Sequence, residues 1–234
     1  GIIYDSSNRP IINLAKEFRL VIKPEEITLL LKEAFLSAED RNFYSHNGVD
    51  WYALLLRAVG KNVEASVERS IREREPILVA QQGASTITDQ LVGLYYRDDI
   101  NSTTNKLAQT WWGFLPRKFI KKLEELRLSI WLEEELVKPQ YFGSKRAAKD
   151  EILARFLSYA YFRKVYGVKA ASLYYFGKNF DELGYEEAAL LAGIVKDPST
   201  YAPVSNQSSS FSIQRQLGRR NSILDLMVEN KYLT

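Results

Sequence analysis

The sequence predicts a mainly α-helical protein. Apolar residues recur at helical spacing along most of the 234 residues, and proline, glycine or capping residues bound the segments that carry them. Loose apolar–polar alternation is confined to residues 1–23, where we expect one or two short strands. No strand series adequate for a large sheet follows. The length fits one large domain, residues 1–234, or two small lobes around a sizeable core.

Composition narrows the possible functions. Hydrophobic residues make up 46% and charged residues 26%, which is ordinary for a soluble globular fold. The net charge of +3 does not imply nucleic acid as a partner. The sequence has no cysteine and one histidine, which excludes disulfides, thiolate chemistry and a histidine-rich zinc site. No apolar run approaches the ~18 residues that span a bilayer.

The first half of the chain alternates helices with polar segments. A helix follows Pro24 and ends near Glu39, and a second helix begins at Asp50, a suitable N-cap. A charged, weakly held helix is expected over 61–75, and a capped helix start at Ser85. Residues 97–110 are rich in turn formers and predict a loop.

The second half is more regularly helical. One helix is expected from Lys121 to Val137, with a buried stripe of Leu123, Leu126, Ile130 and Val137, and another starts over 149–157. Gly177 suits a helix C-terminus. A buried apolar helix is expected over 188–195, and a last amphipathic helix follows a serine-rich loop at 205–212.

The stretch 39–50 carries the densest chemistry. It holds adjacent carboxylates at Glu39 and Asp40, the aromatic Phe43, the histidine His46 and a glycine at 48. Glu39 falls where the preceding helix ends, at the rim of a core, where a carboxylate can have a raised pKa and serve as a general base. Taken alone, the stretch is better explained as a helix end with surface charges and a loop hydrogen bond from His46, because short mixed-charge segments are common.

Two further segments suit an anionic ligand. Gly83 and Ser85 precede a helix whose first turn presents N–H groups, which can bind phosphate or simply be capped. Lys122 and Glu125 lie three residues apart and share a helix face, so they can enter a cleft together or form an ordinary surface pair.

The segment 111–122 places bulky apolar residues beside cations. Aromatic rings at headgroup depth with neighbouring cations are typical of a membrane-interface segment. The alternative is that the tryptophans pack in the core. The residues concerned are Trp111, Trp112, Phe114 and Leu115, followed by Arg117 and Lys118.

Five stretches in order resemble the peptidoglycan glycosyltransferases, the family comprising the glycosyltransferase domain of class A penicillin-binding proteins and its monofunctional relatives. The resemblance covers nearly the whole chain. The stretches are Glu39–Gly48, Gly83–Gln90, Lys121–Glu125, Lys149–Leu153, and Tyr175–Lys178 with Glu187–Gly193.

The resemblance implies a lysozyme-like helical fold with a larger head lobe and a smaller membrane-associated jaw lobe near residues 92–122. It implies polymerisation of lipid II at the outer face of the bacterial cytoplasmic membrane, with the growing glycan on undecaprenyl pyrophosphate as donor and a lipid II 4-hydroxyl as acceptor.

The resemblance also implies roles for individual residues. Glu39 would be the general base, and Glu125 would assist the departing pyrophosphate, through a divalent cation (Mg²⁺ or Mn²⁺) or a hydrogen-bond network. Substrate binding would fall to nine residues: Asp40, Phe43, His46, Gly83, Ser85, Thr86, Gln90, Lys122 and Lys149.

The sequence departs from the family pattern on the donor side. Asp89 stands where glutamine is usual, Gly93 where a basic residue is usual, and Ala154 where glutamate is usual. These changes keep two alternatives open beside the transferase. One is a catalytically weakened homologue that binds lipid-linked glycan or a cell-wall partner, and the other is a lysozyme-like glycan-cleaving enzyme.

Overall fold

The computed structural model describes residues 2–4, 10–13, 19–55, 85–203 and 210–233. The predicted charged helix over 61–75 and Gly83 therefore lie outside the described residues. Within the described ranges the fold is mainly α-helical, as predicted. None of the helices described there is both long and apolar enough to cross a membrane.

Nine α-helices, three short 3₁₀ segments and two strands are bounded within those ranges. The strands are β1 (Ile2–Tyr4) and β2 (Pro10–Asn13), which pair antiparallel with Ile3 opposite Ile12. The 3₁₀ segments are Pro24–Glu26, Trp111–Phe114 and Phe180–Glu182, and residues 51–55 are also helical. The helices are α1 (Leu29–Glu39), α2 (Ile87–Tyr95), α3 (Arg97–Leu107), α4 (Arg117–Leu136), α5 (Lys145–Tyr159), α6 (Val168–Phe176), α7 (Tyr185–Lys196), α8 (Pro198–Tyr201) and α9 (Ser210–Glu229).

The core forms around α7. This helix packs against both α1 and α9, and α5 packs against α2. Phe35 of α1 and Phe156 of α5 join the two pairs, because their rings meet edge-on at 6.3 Å within one core. Ala188, Leu191 and Ile194 have no exposed surface, which confirms that the apolar segment 188–195 is a buried helix. Gly177 ends α6 in the left-handed conformation (φ 66°), also as predicted.

The loop predicted over 97–110 is wrong, because residues 97–107 form α3. Two acidic residues, Asp98 and Asp99, occupy its first turn, where they interact favourably with the helix dipole. Ile100 and Thr104 lie one turn apart and face the interior. The many turn-forming side chains lie mostly on the exposed face, where they cost little.

The helix predicted from Lys121 begins four residues earlier, directly after Pro116. Its predicted apolar stripe is also wrong: Leu123 and Val137 are exposed, and the buried positions are Ile120, Ser129 and Glu133. The face that α4 turns inward is partly polar because it belongs to the site described next. Helix α5 likewise starts earlier than expected, at Lys145 behind the N-cap Ser144.

Candidate active site

Glu39 is the last residue of α1 and is almost completely buried. Gln90 of α2 donates a 2.9 Å hydrogen bond to Glu39 Oε2. Glu39 Oε1 has no hydrogen-bond partner among the described residues. Burial raises the pKa of this carboxyl, although the Gln90 hydrogen bond and the nearby Arg219 oppose the shift. A carboxylate with one oxygen held and the other buried and unpartnered is suited to accept a proton.

Arg219 is a site residue that the sequence did not reveal. It extends from α9 so that its Nη2 lies 3.8 Å from Glu39 Oε1, and it is only 7% exposed. Its path crosses Gly193 of α7, where an added Cβ would lie 3.0 Å from Arg219 Cγ. Gly193 therefore makes room for the one cation within 4 Å of Glu39 in the part of the chain that the structure describes.

Asp40, the residue after Glu39, fixes the start of α2. Its Oδ2 accepts hydrogen bonds from the Ile87 amide (3.0 Å) and from His46 Nε2 (3.0 Å). The cap of α2 is Thr86 and not Ser85 as expected, since the Thr86 hydroxyl accepts from the Asp89 amide at 3.1 Å. Two first-turn amides of α2 are thus already bonded within the protein, which weakens the case for a free anion site there.

Gly48 brings the first stretch against α4. Its φ of +79° lies in the left-handed region, and an added Cβ would lie 2.5 Å from the Ser129 carbonyl oxygen. The Gly48 carbonyl accepts a 2.6 Å hydrogen bond from the Thr86 hydroxyl. Only glycine fits here, and its position joins α4 to the start of α2.

Buried polar side chains of α2, α4 and α5 form a hydrogen-bond network. Lys149 Nζ donates to Glu133 Oε1 at 2.6 Å, and the Thr88 hydroxyl donates to the same oxygen at 2.5 Å. The Lys149 ammonium also lies 4.3 Å from the centre of the Phe43 ring. Burial lowers the pKa of Lys149, and the Glu133 carboxylate opposes that shift. Sequence reasoning missed Glu133, because an apolar stripe was expected on α4.

The hydrogen bonds of His46 define its tautomer. Its Nε2 faces the Asp40 carboxylate, which can only accept, while its Nδ1 lies 3.3 Å from the Lys149 ammonium, which can only donate. The network is satisfied by a neutral imidazole with its hydrogen on Nε2. His46 therefore links Asp40 to Lys149.

Several residues expected to bind substrate are buried. Asp40, Phe43, Thr86 and Lys149 are at most 6% exposed, and all but the Phe43 ring are held by hydrogen bonds inside the protein. Direct substrate contact by these side chains stays a prediction. Their hydrogen bonds connect the end of α1 with α2, α4 and α5.

The donor-side residues gather around the Lys122 ammonium. Lys122 donates hydrogen bonds to Asp89 Oδ2 and, at 3.2 Å, to Ser85 Oγ, and it lies 3.5 Å from Glu125 Oε2. Burial and the neighbouring Asp89 charge raise the pKa of Glu125. Asp89 and Gln90 are consecutive residues of α2, so this helix connects Glu125 with Glu39.

These carboxylates do not fit a metal ion held by the protein alone. The Lys122 ammonium already lies against both Asp89 and Glu125. No group of three or more potential ligands forms among the described residues. A divalent cation that relied on this site would need further oxygen ligands from elsewhere.

Gly93 and Ala154, which depart from the family pattern, lie in different surroundings. An added Cβ at Gly93 would lie 3.8 Å from Glu125 Oε1, so the position faces the donor-side carboxylate. Ala154 is buried in the core. Ser158, one turn further, accepts from the Ile22 amide at 2.9 Å and so fixes the segment that leads into α1.

The segment between α3 and α4 presents its rings outward. Trp111 and Phe114 are each 70% exposed, while Trp112 is half-buried. The Trp111 ring stacks on Phe114 with centroids 6.0 Å apart and on Trp112 at 4.3 Å. The alternative of a core position is therefore wrong for Trp111. We call Trp111 and Phe114 the aromatic tip.

Comparison with known proteins shows the family of this chain. A family profile described as Transglycosylase matches residues 7–228. The chain belongs to this transglycosylase family, and its class is that of the peptidoglycan glycosyltransferases. It is 31% identical over 99% of its length to penicillin-binding protein 1A of Escherichia coli strain K12, and 31% identical over 99% to penicillin-binding protein 1F of Bacillus subtilis strain 168.

The relatives are much longer than this chain. It spans 22% of the Escherichia coli protein and 26% of the Bacillus subtilis protein. The similarity therefore concerns one part of each relative, the part that the transglycosylase profile describes.

Proposed function

We propose that this chain polymerises lipid II by inverting glycosyl transfer. The 4-hydroxyl of a lipid II acceptor would attack the anomeric carbon of a donor glycan carried on undecaprenyl pyrophosphate. The new glycosidic bond forms as the bond to pyrophosphate breaks, and the hydroxyl proton passes to the enzyme. Family membership supports the class of reaction, and the environment of Glu39 is the observation that carries the proposal.

On the acceptor side, Glu39 is the general base. Its unpartnered Oε1 would receive the hydroxyl proton, while the Gln90 hydrogen bond keeps Oε2 in place. Burial raises the Glu39 pKa, and the nearby Arg219 charge opposes that rise and so favours the ionised carboxylate. Transfer in a single displacement needs no covalent enzyme intermediate.

On the donor side, Lys122 and Ser85 would contact the pyrophosphate. The Lys122 side chain is 34% exposed, so it is not sealed from solvent. Glu125, three residues along α4, would assist departure through a hydrogen-bond network around Lys122. The involvement of Mg²⁺ or Mn²⁺ stays a prediction, and no step here depends on it.

A lipid-linked substrate requires the membrane surface. The aromatic tip and the cations Arg117 and Lys118 would enter the interface at the outer face of the bacterial cytoplasmic membrane. Trp112 and Leu115 would support them from beside the tip. A jaw lobe near residues 92–122 that carries this contact is part of the same proposal.

Polymerisation of labelled lipid II tests the proposal, with products resolved by chain length. We expect a glycan ladder from the unchanged chain and none from Glu39→Gln, which keeps the shape but cannot accept the proton. Glu186→Gln, at an exposed position, is the matched control. Turnover retained in Glu39→Gln would remove Glu39 from the role of base.

A second candidate is a binding module for lipid-linked glycan that turns over little. It is favoured by the contact between Asp89 and Lys122, because the carboxylate neutralises the cation nearest the expected pyrophosphate. Saturable lipid II binding without polymer would select this alternative. A lysozyme-like hydrolase has less support, since the family is one of glycosyl transfer, and muropeptide release from purified sacculi would be needed to revive it.

A further inference from the structure

Aromatic side chains form a continuous stripe on the side of the molecule where α2, α4 and α5 meet. The rings are contributed by the ends of α2 and α5, by the middle of α4 and by the segment after α5. We call this set the aromatic stripe; in spatial order it is Trp131, Tyr96, Tyr95, Tyr159, Tyr166 and Tyr161, with Arg19 between Tyr159 and Tyr166.

Each ring of the stripe contacts the next, except that Arg19 bridges Tyr159 and Tyr166. The centroid of Tyr96 lies 6.5 Å from Trp131 and 6.0 Å from Tyr95, and Tyr95 lies 5.0 Å from Tyr159. The Arg19 guanidinium covers both Tyr159, at 4.5 Å, and Tyr166, at 5.0 Å. Tyr166 then meets Tyr161 at 4.9 Å.

The stripe is accessible along its length. Trp131 is 44% exposed, Tyr95 48% and Tyr161 41%. At one end, a cavity of about 270 Å³ opens between α3 and α4. Tyr96 and Trp131 form part of its wall, together with polar side chains such as Thr103 and Arg127. The surface is therefore aromatic but not dry, and it leads into a pocket with hydrogen-bonding groups.

The position of the stripe along α4 separates it from the membrane contact. Trp131 lies fourteen residues after Arg117, so it is ~21 Å along the axis from the end beside the aromatic tip. Interfacial segments enter the bilayer by only about 5–10 Å. Along the axis of α4, the stripe is therefore well separated from the aromatic tip.

The same axis orders the proposed donor site. Glu125 lies ~12 Å from the tip end of α4, and Trp131 lies ~9 Å beyond Glu125. A lipid-linked glycan has its lipid at the membrane and its pyrophosphate near Lys122. A glycan strand that extends from the pyrophosphate along α4 and away from the tip would reach the stripe.

We propose that the aromatic stripe and the adjoining cavity bind the growing glycan strand outside the catalytic cleft. This inference rests on the proposed function, because it takes the polymer made there as its ligand. The C–H groups on the flat face of a pyranose ring are attracted to the negative face of an aromatic ring. Successive rings offer such faces to successive sugars, while Tyr hydroxyls and the cavity side chains can bond the sugar hydroxyls.

Direct binding of soluble glycan tests this inference without turnover. The probes are chitohexaose and lipid-free, uncrosslinked peptidoglycan strands, titrated by calorimetry. We expect Tyr95→Ala combined with Tyr159→Ala to weaken binding about tenfold, since two stacking surfaces are lost. The corresponding double change to Phe keeps both rings and should retain most of the affinity. Tyr141→Ala, at 55% exposure, is the control and should bind as the unchanged chain does.

Product length provides the second measurement. If the unchanged chain polymerises lipid II, the double alanine variant should give a shorter ladder than Tyr141→Ala. Equal glycan affinity and an equal ladder in the double alanine variant would overturn the inference and leave the proposed function intact. Tyrosine-dependent glycan binding by a chain that makes no polymer would support the stripe while the proposed function fails. A stripe that captures a protein but binds neither probe would also overturn it.

Discussion

Lys149→Met tests whether the fourth stretch of the family resemblance, Lys149–Leu153, supports the fold or contacts substrate. The change keeps a long side chain but removes the ammonium. Glu133, 4% exposed, then retains only the Thr88 hydroxyl, and His46 Nδ1 loses the donor 3.3 Å away. Removing one partner of a buried ion pair typically costs 3–5 kcal/mol, because the other charge is left uncompensated.

The expected loss is large enough to measure by thermal and urea unfolding. For a chain of this length, about 2–4 °C of melting temperature is lost per kcal/mol, so we expect a fall of about 6–20 °C. Lys178→Met is the matched control, since Lys178 is 47% exposed in a 2.7 Å pair with Glu187. Exposed pairs contribute about 0–1 kcal/mol, so that variant should remain close to the unchanged chain.

A second change separates the two roles of Lys149. Replacing Glu133 by Leu in the Lys149→Met background removes the stranded carboxylate, and we expect much of the lost stability to return. Unchanged stability in Lys149→Met together with lost lipid II binding would refute the reasoning. That result would mean that Lys149 reaches the substrate.

Other predictions concern the membrane contact, the donor side and the base. Changing Trp111 and Phe114 to Ser should reduce partitioning onto anionic vesicles by at least about tenfold, since both rings are exposed; sedimentation measures this, and unchanged partitioning would exclude the tip as the contact. Asp89→Asn should tighten binding of inorganic pyrophosphate by releasing the ammonium that Asp89 holds, and equal affinity by calorimetry would contradict this. Gln90→Ala should move the acid limb of kcat/KM to higher pH. The Gln90 hydrogen bond lowers the pKa of Glu39, so its removal raises that pKa, and the base works only when ionised. Treatment with EDTA should slow polymerisation if a divalent cation takes part, and an unchanged rate would exclude that requirement.

Local patterns were enough to predict most helices. The apolar spacing after Pro24 placed α1 with its end at Glu39, and the alanine- and leucine-rich segment became the buried α7. Patterns failed where an inward face carries polar groups. Helix α4 buries Ser129 and Glu133, so a search for an apolar stripe selected the wrong side of it. Helix α3 shows the converse, because two buried positions suffice to hold a helix whose other residues favour turns.

The residues of the candidate site also divide into those that the sequence indicated and those that it did not. Glu39, Lys122 and Glu125 could be singled out because five stretches in order resemble the peptidoglycan glycosyltransferases. Their chemistry and spacing alone also fitted a helix end and an ordinary surface pair. Contacts that cross long stretches of sequence could not be singled out. Arg219 reaches the Glu39 carboxylate from α9 over a path that Gly193 leaves open, and neither residue indicates this contact by its own neighbours.

The same long-range contacts explain how the proposed base can be buried and still work. A carboxylate removed from water resists ionisation, and a hydrogen bond alone from Gln90 leaves its second oxygen uncompensated. Arg219 lies 3.8 Å from that oxygen, beyond hydrogen-bond reach but close enough to favour its charge. This spacing stabilises the ionised base without occupying the position that the acceptor hydroxyl needs. A base held by two hydrogen bonds would be more firmly ionised and a poorer proton acceptor. The buried, unpartnered oxygen beside a near cation is therefore the feature of Glu39 most directly suited to its proposed role.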